Sequence, residues 1–368
     1  MKKNVALILN IVGLFLGAVQ PGELAQAATT EVIQRTSTGA ILLSRTTFSD
    51  GSREDYTFDP GNQYEFSKIT YKYDSAGTLI SIERVYDDGG RQVSYFYSST
   101  SPILMQIQYF VPAGTLLQQK VHYKNGDLFT SDYDVNGNQP WTVRHQKVVG
   151  QVNDGNSISG GEIDFFDYRM DDGTRQIERF DRMGNQTYTK FIDYYDTLGR
   201  QDYRVMFMDN GTRVVTDYDE TNTRTWKSLY KTFDQQGQLI YQDFRFDDGT
   251  RQFEGFDVDG TRSWTRYVNN FNAQGQLDYS NLYLDDGRRQ VTDYDQASSE
   301  SWTTLVKIFD NQGRLDVVDY RMDDGTRIYI DYDQASQYSW SERRLNFDNS
   351  GKLISQRFNN DDGTVTIK

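Results

Sequence analysis

The stretch 233–251, FDQQGQLIYQDFRFDDGTR, decides the fold. It opens on Phe233-Asp234-Gln235-Gln236-Gly237 and closes on Asp248-Gly249, with the two glycines 12 residues apart. Asp-Gly is among the strongest short hairpin signals, because both residues tolerate the positive φ that a type I′ turn demands. The aromatic-Asp-x-x-Gly run fits a longer loop, in which Asp starts a type I turn and Gly takes the left-handed bulge position. Between the turns, Phe244 and Phe246 fall two apart, the period of a strand with one buried face.

The same pair of glycines recurs along the chain. The first series is Gly39, Gly77, Gly114, Gly161, Gly199, Gly237, Gly275, Gly313 and Gly351; each has its partner 12 residues on, from Gly51 to Gly363. Successive steps are 38, 37, 47 and then 38 five times. The second glycine always follows Asp or Asn, and Arg stands two residues beyond it in seven of nine repeats, as in Arg251 and Arg327. An aromatic-Asp pair comes next (Phe58-Asp59, Tyr218-Asp219, Tyr294-Asp295), then a third turn such as 334–337. The strand after that turn carries Phe66, Leu104, Trp141, Tyr188, Trp226, Trp264, Trp302 and Trp340 at one position.

This pattern predicts an all-β chain: nine tandem repeats of about 38 residues over 28–368, each of three antiparallel strands, forming a long coiled meander. About nine extra residues fall within 146–159 and predict an inserted loop. Open twisted sheets beyond ~10 strands curl, split or close; the pattern leaves shell, solenoid and propeller-like closure open, with aromatics expected on an inner face.

Residues 1–27 have the form of a secretory signal peptide. Lys2 and Lys3 precede an apolar run from Val5 to Val19, and Ala25-Gln26-Ala27 is a small-x-small cleavage site. The expected product is secreted, extracellular or on the cell surface, or periplasmic, with no membrane span after cleavage. A net charge of −14 disfavours nucleic acid and anionic lipid as partners. The absence of Cys removes disulfides, thiolate chemistry and Cys-zinc sites.

The run Tyr195-Asp196-x-x-Gly199-Arg200, followed by Gly211 and Asp217-Tyr218-Asp219, resembles the YD-repeat of the RHS and teneurin group. The resemblance covers 28–368 in pattern. It implies β-hairpins punctuated by Tyr-Asp and a surface or secreted role. Toxin delivery is not expected from the resemblance, since the repeat pattern continues to Thr364 where such carriers bear a further domain. MORN-like hairpin repeats, which serve as interaction scaffolds, are similar more distantly.

No nucleophile elbow, P-loop or dinucleotide fingerprint is present, and His122 and His145 stand in no metal-ligand or triad spacing. A glycosidase needs two carboxylates in unlike environments, whereas a repeat sets the same Asp in the same place up to nine times. No catalytic residue, metal or cofactor is therefore assigned. Ca²⁺ at the Asp-Asp-Gly turns is the one cation considered, against turns whose Asp pairs with the following Arg. Trp141, Trp226, Trp264, Trp302 and Trp340 are the candidate ligand-binding residues, since evenly spaced exposed indoles stack on sugars or peptides, while buried ones are core.

The expected function is a non-catalytic interaction, adhesion or structural scaffold that meets an extracellular protein or polysaccharide and associates with itself through sheet edges. The alternatives are a carbohydrate-binding array using the Trp/Tyr ladder and a secreted hydrolase hosted by the insert.

Overall fold

The computed structural model describes residues 28–150, 152–153, 157–158 and 161–368. The signal-peptide reading over 1–27 and part of the 146–159 insert lie outside the described residues. Among them are 29 strands and no helix. Twenty-seven strands belong to antiparallel sheet that is not closed, which answers the closure question. Val152–Asn153 and Ser157–Ile158, within the insert, make a separate two-stranded hairpin.

The described residues divide into two compact units, one falling within Met1–Gln139 and Lys147–Gly161, the other Pro140–Gln146 with Glu162–Lys368. In the first, a meander runs from Ala28–Arg35 through Ile41–Phe48 and Arg53–Phe58 to Leu128–Tyr133, each strand antiparallel to the next. In the second, the same order runs from Glu162–Met170 to Val365–Ile367. A typical repeat comprises Leu239–Phe246, Arg251–Phe256 and Trp264–Phe271.

The glycine turns form where expected, but the two are one kind. Gly249 N–H donates to Phe246 O (3.2 Å) and Phe246 N–H to Thr250 O (3.0 Å); Gly237, Asp234 and Gln238 repeat this arrangement. Gly249 has φ 86° and Asp248 has no positive φ, so the Asp-Gly turn is a type I turn with a glycine bulge, not type I′. Left-handed backbone costs a non-glycine residue roughly 1–2 kcal/mol. Asp248 avoids that cost, and its Oδ1 accepts Thr250 N–H (2.9 Å) and Oγ1–H (2.6 Å).

The single buried face is also corrected. Val291 and Thr292, consecutive on one strand, are 6% and 8% exposed, so both faces contain buried positions. Substantial contact is confined to strands adjacent in the chain. Within each unit the sheet is thus one layer, and among the described residues no side chain falls below 2% exposure. Cross-strand pairs rather than a thick core hold it together.

Candidate functional site

The Trp position lies on a β-bulge. Trp264 pairs with Leu284, and the ladder slips by one residue before Arg266 pairs with Tyr283. A bulge sets two residues against one and re-aims side chains. It brings Trp264 over Tyr267, three residues on, with ring centroids 5.0 Å apart at 80°. Tyr188 meets Phe191 likewise at 5.3 Å, and Arg144 and Arg343 lie 5.5 Å over the rings of Trp141 and Trp340. Except after Trp226, which Lys227 follows, the residue after the Trp supplies a hydroxyl to a carbonyl across the bulge: Thr303 Oγ1–H to Arg321 O (3.1 Å), Ser341 Oγ–H to Asn359 O (3.2 Å). Ser or Thr following the large residue was the sequence signal for this bulge, and period-two reasoning passed over it.

Trp226 and Trp340 are buried, each 8% exposed, while Trp141, Trp264 and Trp302 are half-buried. Leu104 does not belong to the series. Ile103 holds that place, buried and paired with Tyr123, and Leu104 is 52% exposed. The repeat step of 37 there displaces the register by one.

Nor do the tryptophans line one ladder. Directly paired residues in an antiparallel sheet project from the same face. Trp226 pairs with Phe246, and that face continues through Phe244 and Gln252 to Glu254 and Val268. Tyr267 lies on the opposite face with Leu282, Leu284 and Trp264. Three strands per repeat, together with the bulges, turn each repeat over relative to the last. Trp226 and Trp302 therefore share one face, and Trp264 and Trp340 share the other.

The aspartates serve the turns. In the third turn, Asp59, Asp134, Asp181, Asp219, Asp257, Asp295 and Asp333 each accept the backbone N–H five residues on, at 2.6–2.9 Å. In the first turn, Asp234 accepts from Gln236 (2.9 Å) and Gln238 (2.7 Å). The Thr hydroxyl and backbone N–H hold Asp172, Asp248, Asp324 and Asp362 below the usual carboxylate range.

The Arg after the second turn mostly does not pair with the turn Asp, contrary to expectation. Arg175 binds Asp167 (2.6 Å), Arg251 binds Asp243 (2.6 Å) and Arg327 binds Asp319 (2.7 Å), in each case across to the preceding strand. Arg288, one residue past its glycine, does reach the carboxylate of its own turn, Asp286 (2.8 Å), as Arg200 and Arg314 reach Asp196 and Asp310 (2.7 Å each) at the first turn. Arg213 and Arg289 lie over Phe233 (4.5 Å) and Phe309 (4.6 Å). Among the described residues, no group of three or more potential ligands is arranged for a metal. Burial raises the Asp217 and Asp316 carboxyls, with neighbouring carboxylates adding to it.

No known family profile matches this chain, and no curated protein matches it. Among solved structures, the TcdB2-TccC3 complex aligns over 89% of this chain at 10% identity and a TM-score of 0.18. This chain spans only 20% of that one. AztD from Citrobacter koseri aligns over 86% of this chain and 91% of its own at 10% identity and a TM-score of 0.15. A eukaryotic initiation factor does so over 92% and 90% at 7% identity and 0.15. What fold and register establish together is a β-repeat protein.

Proposed function

We propose that this chain is a secreted YD-type repeat scaffold that acts by many weak contacts along open sheet faces, not by catalysis. One observation carries the reading. The repeated carboxylates are engaged in turn caps and Arg pairs, which leaves a recurring mosaic of half-buried rings and guanidinium groups on both faces. Such sites gain strength by simultaneous engagement rather than by individual affinity. Extracellular proteins and polysaccharides fit this surface. The strand Ala28–Arg35, exposed at every residue, favours edge pairing with a second copy.

The test is binding of residues 28–368 to surfaces of cell-wall polysaccharide and of matrix protein at rising immobilisation density. Dissociation that slows steeply with density supports the scaffold. Density-independent dissociation, or turnover of either surface, overturns it.

A hydrolase is the second reading, favoured by the raised carboxyl of Asp217 beside Asp202 and Asp219. Polysaccharide turnover abolished in Asp217→Asn would establish it in place of the first.

A further inference from the structure

One repeat departs from the others on one face. The position 18 residues after the first glycine is Asp132, Asp217, Asp293 and Asp331 in four repeats, but Gly255 in this one. Gly255 pairs with Tyr241 on one side and Tyr267 on the other, so all three share a face. A Cβ at Gly255 would lie 2.3 Å from the Tyr267 ring, which therefore lies across the glycine backbone. Phe253 joins the group, 5.6 Å from Tyr241 at 22° and 6.0 Å from Tyr267 at 43°. Trp264 closes it against Tyr267 at 5.0 Å. Covering a glycine explains Tyr267 alone. It does not explain a continuous strip of four rings, or a Tyr241 that stays 43% exposed.

We propose that Tyr241, Phe253, Tyr267 and Trp264 form a stacking platform for a neutral glycan chain, resting on the non-catalytic scaffold reading above. The strip crosses three strands, about 10 Å, the scale of a disaccharide. A sugar ring has an apolar C–H face and a hydroxyl rim. The rings meet the first, and the adjacent cluster of Asp243 with Arg251 (2.6 Å) and Arg245 (3.7 Å) supplies donors and acceptors for the second. Nucleic-acid bases also stack on rings, but a chain of net charge −14 repels their phosphates.

The experiment is affinity gel electrophoresis of residues 28–368 through hydroxyethyl cellulose, mixed-linkage β-glucan, glucomannan and dextran. At least one polysaccharide retards the protein. Gly255→Asp, which installs the residue of four other repeats and displaces Tyr267, weakens retardation about tenfold. Tyr241→Ala, an exposed change with little effect on folding, does the same, and Asn281→Ala, on the opposite face with Val268, leaves retardation unchanged. No retardation in any gel, or equal retardation of wild type, Gly255→Asp and Tyr241→Ala, overturns the platform. A chain that binds matrix protein in a density-dependent way yet passes every gel freely sinks the platform and leaves the scaffold standing.

Discussion

Asp219 Oδ2 accepts the backbone N–H of Arg224 at 2.7 Å, and Asp333 does the same for Tyr338 at 2.6 Å. The Tyr-Asp dipeptide is thus a turn clamp, with the aromatic in the strand and the carboxylate holding the loop that follows. Asp219→Ala leaves the Arg224 and Thr223 N–H groups without this acceptor, and Asp219→Asn keeps one. Thermal unfolding followed by circular dichroism should show Ala lowering the midpoint by a few degrees and Asn lowering it less. Equal midpoints for all three proteins would remove the clamp.

The turn carboxylates predict acid sensitivity. Asp172, Asp248, Asp324 and Asp362 are held below their unfolded values by Thr donors. Their contribution is complete above the unfolded carboxylate range near pH 4 and is lost as pH falls through the depressed folded values. The melting midpoint should drop steeply below about pH 4, and replacing the four Asp with Asn should flatten that drop.

His122 adds a separate, earlier step. Its side chain is 3% exposed, neither ring nitrogen has a hydrogen-bond partner in the protein, and burial, then Lys120, depresses its pKa. Met105 and Leu128 face it from the neighbouring strands. A depressed imidazole contributes stability above the unfolded value near 6.5 and loses it as pH falls toward the folded value. Midpoints measured between pH 7 and 5 should fall gently in the wild type and stay level in His122→Phe.

Ser298 and Ser336 sit at φ 50° and 51°, where other repeats place Gly137, Gly184 and Gly260. Replacing either Ser with Gly relieves left-handed strain and should stabilise by about 0.5–1 kcal/mol. Chemical unfolding of the double variant should show the gain adding across the two sites.

Export should end in cleavage after Ala27. The N-terminal sequence of the secreted product is then expected to begin Ala28-Thr29-Thr30.

Turn positions and strand spans were legible because glycine and aspartate have few local alternatives: Gly237 and Gly249 mark reversals whatever lies around them. The side from which each residue projects was not. That depends on a bulge at Thr265 and on the strand count per repeat, neither of which changes the period-two pattern within a strand. The partner of Arg251 was missed for a related reason. Asp243 is eight residues back in sequence and becomes a neighbour only once the hairpin register is known. Gly255 breaks no local pattern, and its significance lies in its pairing with Tyr241 and Tyr267, which only the strand register brings together.

The overturning of alternate repeats has an evolutionary corollary within the second compact unit. Duplicating or deleting one repeat would send every downstream side chain to the opposite side and scramble any surface already selected. Adding or losing two would preserve it, lengthening or shortening it by six strands, about 29 Å. Copy number in such chains should therefore drift by even steps, and the heritable module is a pair.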